Sequence, residues 1–306
     1  MPSALFPTAK KMQLKFDQVT KSYGPVRALD GFSAELTDGI YALLGPNGAG
    51  KSTLMNILTD NLKQDSGQIL FNGVDVRELG VRFREKIGFL PQHPGMYEHF
   101  SASNFLRYMC VLKGIDRRQI DREIEVALTA VDLSEVASRR ISTFSGGMKQ
   151  RLGLAQAVLG SPDVLILDEP TAGLDPKQRI EIRNYISRIA SSKIVIIATH
   201  VVSDIEYIAK SIIMLKKGVI ADFASPAELL GRIEGSVWNL HLKEEEAQDA
   251  INSHRVVSVT KDDTGVTVRV LSDRQPSEDA TSVPPTLEDY YLTVFGTQEK
   301  TPKQGE

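Results

Sequence analysis

The stretch YALLGPNGAGKSTLMNILT, residues 41–59, sets three glycines, a lysine and two adjacent hydroxyls between an apolar run and a run with helical spacing. Flexible residues and a positive charge at one corner suit a bound anion. Gly45 and Gly50 are separated by four residues and followed by Lys51 and Ser52, the spacing of a phosphate loop. Glycines let successive backbone N–H groups turn inward onto phosphate oxygens, and a helix that begins there adds its positive end. Lys51 supplies a point charge for β- and γ-phosphates, and the Ser52 hydroxyl is placed to ligate Mg²⁺. Gly45, Pro46, Asn47, Gly48, Ala49, Gly50, Lys51, Ser52 and Thr53 form the expected phosphate cradle.

A second feature lies far along the chain. The run VLILDE, residues 164–169, is an apolar strand that finishes in two carboxylates. Burying unpaired charge is costly, and a cation bound to phosphate supplies a reason for it. Asp168 is expected to hold Mg²⁺, directly or through water. Glu169 is expected to lie beside the γ-phosphate and polarise the attacking water. The two features together imply a nucleoside triphosphatase without saying which kind.

Composition bounds the rest. The chain has 306 residues, enough for one large domain and a small one. With 42% hydrophobic and 25% charged residues it falls among ordinary globular proteins. The formal net charge of -3 gives no basic field toward nucleic acid, so none is expected as a partner. Cys110 is the only cysteine, so no disulfide forms within the chain, and it reads as a small buried hydrophobe. The N-terminal MPSALFPTAKK lacks the apolar core of a secretory signal. No run approaches the roughly 18 apolar residues that cross a bilayer. The expected location is cytoplasmic, and work at a membrane needs another chain to supply the span.

Strand and helix patterns alternate along most of the chain. MQLKFDQVT, GFSAELTDG and IYALL read as strands, STLMNILTDNL as a helix, and SGQILFNGVDV as a strand pair turning at Asn72-Gly73. Residues 88–90 form a short strand, 97–140 are helical with polar breaks near Gly114-Asp116, and 164–169 a strand. PKQRIEIRNYISRIA is an amphipathic helix, KIVIIATH a buried strand, SDIEYIA a helix and SIIMLKKGVIADFAS a hairpin. The fold class is α/β: a mostly parallel sheet covered on both faces, with an antiparallel part near the N-terminus. The main domain is expected over residues 12–231, with a helical subdomain at about 93–145. A small α+β appendage is expected over 232–296, with Trp238, Tyr290 and Tyr291 in its core, and a disordered tail over 297–306.

The segment FSGGMKQRLGLAQAVLGSPDVLILDEPTAGLDP, residues 144–176, resembles the ATP-binding cassette family. The likeness extends over about residues 12–225. Ser145-Gly146-Gly147 looks like the family signature, Gln92 after a short strand like its glutamine loop, and Gly173-Leu174-Asp175 like its aspartate loop. His200, ending VIIATH, looks like the switch histidine, and Tyr23 like the aromatic that stacks on adenine. The resemblance implies a phosphate-loop cassette that binds ATP and Mg²⁺. It makes Glu169, His200 and Gln92 catalytic, and puts Ser52, Gln92 and Asp168 around the metal. Tyr23, the phosphate loop, Ser145, Gly146, Gly147 and Asp175 then hold nucleotide. The family signature most often reads Leu-Ser-Gly-Gly-Gln. Here Phe144 and Met148 flank the Ser-Gly-Gly, so the hydroxyl and the glycine backbone remain.

The resemblance also implies a second ATP-binding subunit, another copy or a different chain, paired head to tail. Each ATP then touches Lys51 of one subunit and Ser145 of the other, and hydrolysis lets the pair part. Two settings are open. In the first, the chain drives a separate transmembrane permease from the inner face of the membrane. GMYEHFSASNFLRYM, residues 95–109, is suited to that contact. The C-terminal PTLEDYYLTVFG, residues 285–296, looks like the ATPases of drug, antibiotic or bacteriocin exporters. In the second, a soluble cassette ATPase acts in translation or DNA repair. Such members generally carry two cassettes, long coiled coils or zinc insertions. Here there is one phosphate loop, one cysteine and no heptad run.

Overall fold

The computed structural model describes residues 12–262 and 265–296, so the tail expected at 297–306 lies outside the described residues. The alternation near the start becomes β1 (Gln13–Tyr23) and β2 (Val26–Thr37), an antiparallel hairpin. Leu14 and Phe16, and Phe32, Ala34 and Leu36, are buried at the strand period of two, and register shifts after Phe16 let Val19 and Leu29 be buried as well. Phe16 and Phe32 meet edge to face at 5.2 Å. Next come β3 (Gly39–Leu44) and, across the glycine corner, α1 (Lys51–Leu58). β4 (Ser66–Phe71) and β5 (Val74–Asp75) join at Asn72-Gly73, both with positive φ as a tight hairpin turn needs. These strands make an antiparallel sheet in the order β2-β1-β4-β5.

Two short helical turns, α2 (Val76–Leu79) and α3 (Val81–Arg84), lead to β6 (Ile87–Leu90). A helical layer follows: α4 (Ala102–Leu112), α5 (Ile120–Ala130) and α6 (Gly146–Val158). Cys110 is buried within α4 as a free thiol. Then come β7 (Val164–Asp168), α7 (Pro176–Ile189), β8 (Ile194–Ala198), β9 (Ser211–Lys216) and β10 (Val219–Ala224). The second sheet has the order β10-β9-β3-β8-β7-β6, and every pairing from β9 to β6 is parallel. All of β8 is buried, as is β7 up to Leu167, which explains why both read as unbroken apolar runs. The mostly parallel sheet and the antiparallel N-terminal part thus agree with the sequence reading. The register sets Leu43 and Asp168 against Ala198, and Leu167 against Leu90. The C-terminal ends of β3, β8, β7 and β6 therefore lie side by side, where open parallel sheets bind ligands.

Two expected stretches differ. Within 97–140 only Ala102–Leu112 and Ile120–Ala130 are α-helical, and residues 131–140 hold just a 3₁₀ turn, Ser134–Val136. The pattern over residues 203–209 predicts a helix, but the structure forms a single 3₁₀ turn, Val202–Asp204, and then turns. The buried Asp204 carboxylate accepts a 2.6 Å hydrogen bond from the buried Thr171 hydroxyl. That bond ties the segment to the loop after β7, and a tertiary contact of this kind overrides a short helical pattern.

The chain divides into two compact units after Ile220, whereas the pattern in the sequence changes after about Gly231. The second unit begins within β10 and continues through α8 (Pro226–Gly231), β11 (Val237–Leu242), α9 (Glu244–Ser253), β12 (Arg255–Asp262), β13 (Gly265–Leu271), β14 (Thr281–Ser282) and α10 (Leu287–Phe295). Its sheet has the order β12-β13-β11-β14. Residues 221–231 join this unit because Asp222 pairs with Arg232 and accepts from the Tyr290 hydroxyl of α10. Tyr290 is buried, while Trp238 and Tyr291 are half-buried.

The LED segment that opens α10 has a structural reason. Thr286 caps the helix, and Asp289 reaches back to the Thr286 backbone N–H. The fully buried Asp289 carboxylate also takes two hydrogen bonds from Arg269, at 2.9 and 2.7 Å. Burial pushes the carboxyl's pKa up, but Arg269 and Thr286 hold it below the usual carboxylate range. Breaking a buried pair strands the remaining charge, so Asp289→Ala is expected to destabilise this unit by about 3 kcal/mol, read from denaturant unfolding. Because the folded pKa is depressed, the pair's contribution is complete above the unfolded carboxyl pKa. It fades as the pH falls through the folded one.

Candidate functional site

The glycine corner runs from the end of β3 into α1. A Cβ at Gly45 would lie 2.2 Å from the Leu215 carbonyl, and one at Gly50 would lie 2.3 Å from that of Ala28. Gly50 also has φ +112, so only glycine fits there. Gly50 is the N-cap residue of α1 and offers no side-chain cap, which leaves the first N–H groups of the helix to a ligand. The Lys51 ammonium donates to the carbonyls of Gly45 and Pro46, at 2.5 and 3.1 Å. Burial lowers its pKa, while the nearby Glu169 and Asp168 carboxylates oppose the shift.

Facing this loop is a cleft of about 320 Å³. Most of the expected residues line it. Asn47 to Thr53 form one wall, Gln92 comes from the chain after β6, and Asp168, Glu169 and His200 come from the ends of β7 and β8. Tyr23, half exposed at the end of β1, stands at the cleft with Val26 and Ala28 of β2. Gly45, buried, and Pro46, exposed, do not line the cleft, and their carbonyls accept from Lys51. Burial raises the Asp168 pKa and the adjacent Glu169 adds to it, against the pull of Lys51 and His93.

Glu169 is the most constrained of these residues. It adopts the left-handed backbone conformation, φ 50, which costs a non-glycine residue about 1 kcal/mol or more. Its own N–H donates to Ala198 at 2.8 Å, and its carbonyl accepts from the buried Gln150 amide at 2.9 Å. One carboxylate oxygen accepts from the Thr199 hydroxyl at 2.9 Å. The other accepts from the His200 N–H at 3.0 Å and lies 2.6 Å from His200 Nδ1. The carboxylate is buried and fixed at both oxygens, while the His200 side chain is 73% exposed. Glu169 is thus buried and held at both oxygens, and the exposed His200 ring reaches the cleft through its contact with Glu169.

Ser145, Gly146, Gly147 and Asp175 do not line this cleft. Ser145 and Gly146 are exposed at the start of α6, and the Ser145 hydroxyl oxygen accepts from the Met148 backbone N–H at 3.2 Å. That cap uses the backbone of residue 148, which is why methionine serves there. Gly147 packs near Gly173 and Leu174, and Asp175 is exposed and caps α7 by accepting from Gln178 at 2.9 Å.

The metal expected from the sequence can be tested against its donors. Ser52, Gln92 and Asp168 offer a hydroxyl, an amide and a carboxylate on the cleft. Among the described residues, no group of three or more His, Cys, Asp or Glu side chains is placed to hold a metal ion. A sparse set of hard oxygen donors fits Mg²⁺, which keeps waters and phosphate oxygens as most of its ligands.

Four contributors were not read from the sequence. Val26 and Ala28 were legible as alternate residues of the strand paired to Tyr23, and Thr199 as the hydroxyl beside the strand-end histidine. Gln150 had a weaker signal, a polar residue on the buried face of α6.

A glycine loop at the C-terminal edge of a parallel sheet, facing an Asp-Glu pair from the same sheet, defines a phosphate-loop nucleotide-binding protein. The chain belongs to the ABC transporter ATP-binding family. The family model described as ABC transporter matches residues 29–172. A lantibiotic transport ATP-binding protein of Streptococcus pyogenes is 39% identical over 209 residues, 68% of this chain and 88% of that one. A linearmycin resistance ATP-binding protein of Bacillus subtilis is 31% identical over 224 residues, 72% of each chain. The solved structure of cbiO1 from Clostridium perfringens, part of an ABC transporter complex, has 29% identity and a TM-score of 0.65, covering 71% of this chain and 90% of that one.

Proposed function

We propose that this chain hydrolyses ATP and drives a separate membrane permease, as the energy-coupling subunit of an exporter. The observation that carries the reading is the Glu169 carboxylate, fixed by Thr199 and His200 in the same cleft as Lys51 and Ser52. In this reading the N–H groups of the loop and Lys51 bind the triphosphate, and Tyr23 offers a ring face to the base. Ser52, Asp168 and Gln92 would hold Mg²⁺, which when bound neutralises charge on the phosphates and helps orient them. Glu169 takes the proton of the attacking water as general base. His200, exposed and in contact with Glu169, holds that water and the γ-phosphate in line.

Ser145 and Asp175 stand exposed away from the chain's own cleft, which favours a second ATP-binding subunit bringing its own nucleotide to them. A homodimer is the simplest arrangement. On α4 and the segment before it, Tyr97, Tyr108, Val111 and Leu112 are exposed, and Tyr97 packs on Phe100 and Tyr108 at 5.3 and 5.5 Å. An exposed apolar patch of this kind fits an interaction surface, here for a permease. No helix among the described residues is long and apolar enough to cross a membrane. Export is favoured by the lantibiotic and linearmycin relatives.

Affinity purification of the tagged protein from native membranes in mild detergent is expected to bring down one multi-spanning membrane protein. Tyr108→Glu with Leu112→Glu should lose it while the ATPase rate of the free subunit is kept. Recovery of soluble translation or repair proteins instead, with no membrane protein, would remove the transporter reading.

A further inference from the structure

The C-terminal unit has a cavity that shares no residue with the nucleotide cleft. It lies at the edge of its sheet where β12 starts and β13 ends, since Arg255 and Val237 both pair with Leu271. Its volume is about 500 Å³, within the range of small-molecule sites. Three arginines line it, Arg232, Arg255 and Arg274, together with His254. Two carboxylates bear on them: Asp273 also lines the cavity, and Asp222 pairs with Arg232. Among the described residues, neither Arg255 nor Arg274 has a carboxylate partner.

Two of the three guanidinium groups are already ordered. Arg232 is held by Asp222 and by the Tyr290 hydroxyl, and Arg255 donates to the Leu292 carbonyl in the last turn of α10. Cations fixed before a ligand arrives lose less entropy on binding it. An arginine fork matches the oxygens of a phosphate in pairs, which a lysine cannot do. Ile233 and Leu271 add apolar wall for the organic part of such a ligand.

We propose that this cavity binds a phosphate-bearing anion, with Arg255 and Arg274 as its main contacts. The site is independent of the ATPase reading. The same chemistry is found in a soluble organic phosphate and in the headgroup of an acidic lipid, and the experiment separates them.

The test uses the full chain carrying Lys51→Ala, which weakens the phosphate loop, and inorganic pyrophosphate as the probe. Hydrogen exchange is expected to show protection at residues 253–255 and 271–274 on adding pyrophosphate. Calorimetric affinity should fall at least about tenfold, roughly 1.4 kcal/mol, in Arg274→Glu, an exposed position whose side chain holds no structural partner. Arg255→Ala should lose as much, with its melting temperature as the check on folding. In the second arm, the protein is floated with phosphatidylcholine vesicles containing phosphatidic acid. Flotation that Arg274→Glu abolishes assigns the phosphate to a lipid, and pyrophosphate binding without flotation assigns it to a soluble molecule. Absence of both, or binding that Arg274→Glu leaves unchanged, overturns the proposal.

Discussion

Glu169→Gln is expected to lower the rate of ATP hydrolysis by about 10²- to 10⁴-fold, the usual contribution of a positioned general base. Glutamine has the same shape: its carbonyl oxygen still accepts from the His200 N–H, and its NH2 faces the Thr199 hydroxyl oxygen, which can accept from it. It cannot take a proton from water. The strained backbone at residue 169 and its bonds to Ala198 and Gln150 do not involve the carboxylate, so the fold should persist. The substitution also removes a negative charge facing Lys51 and Asp168, both of which feel it. ATP affinity should therefore hold or improve. Phosphate release and equilibrium nucleotide binding, measured on one preparation, separate the two effects. Hydrolysis at the wild-type rate would take the role of base away from Glu169.

Lys51→Ala is expected to cost ATP binding about 10²-fold. Hydrogen bonds to charged groups contribute up to about 3 kcal/mol, and each 1.4 kcal/mol is a factor of about ten. The lysine is well placed to deliver this: it is folded over its own loop by the Gly45 and Pro46 carbonyls, so little freedom is lost when phosphate arrives. Its loss also removes a cation that couples to Asp168 and Glu169, leaving their charge to repel the triphosphate further. Fluorescent nucleotide titration gives the change directly. Retained affinity would mean that the loop N–H groups alone hold the phosphates.

Much of this site was legible because its chemistry is local in sequence. The phosphate loop must be contiguous, since consecutive N–H groups do the binding, and its glycines are forced by backbone neighbours at 2.2 and 2.3 Å. The Asp168-Glu169 pair announced itself as charge at the end of a buried strand. The parallel strands were equally plain, because burial on both faces leaves no polar residue to interrupt them. The groups that orient Glu169 were not legible in this way. Thr199 and Gln150 reach it from β8 and α6, and only the folded register brings them together. The 3₁₀ turn at Val202–Asp204 was hidden for the same reason, since it is set by the Thr171–Asp204 bond across two loops. Arg269 and Asp289 likewise meet only in three dimensions, and their bond explains a motif that the sequence showed as a likeness alone.

In the proposed mechanism one nucleotide is shared between the loop of one chain and the Ser145 helix of another. Sedimentation of Glu169→Gln with saturating Mg²⁺ and ATP tests it most directly. A dimer is expected with ATP, a monomer without it, and a monomer again when Ser145→Glu is added to the same protein. A monomer at full ATP occupancy, or a dimer indifferent to Ser145→Glu, would contradict it.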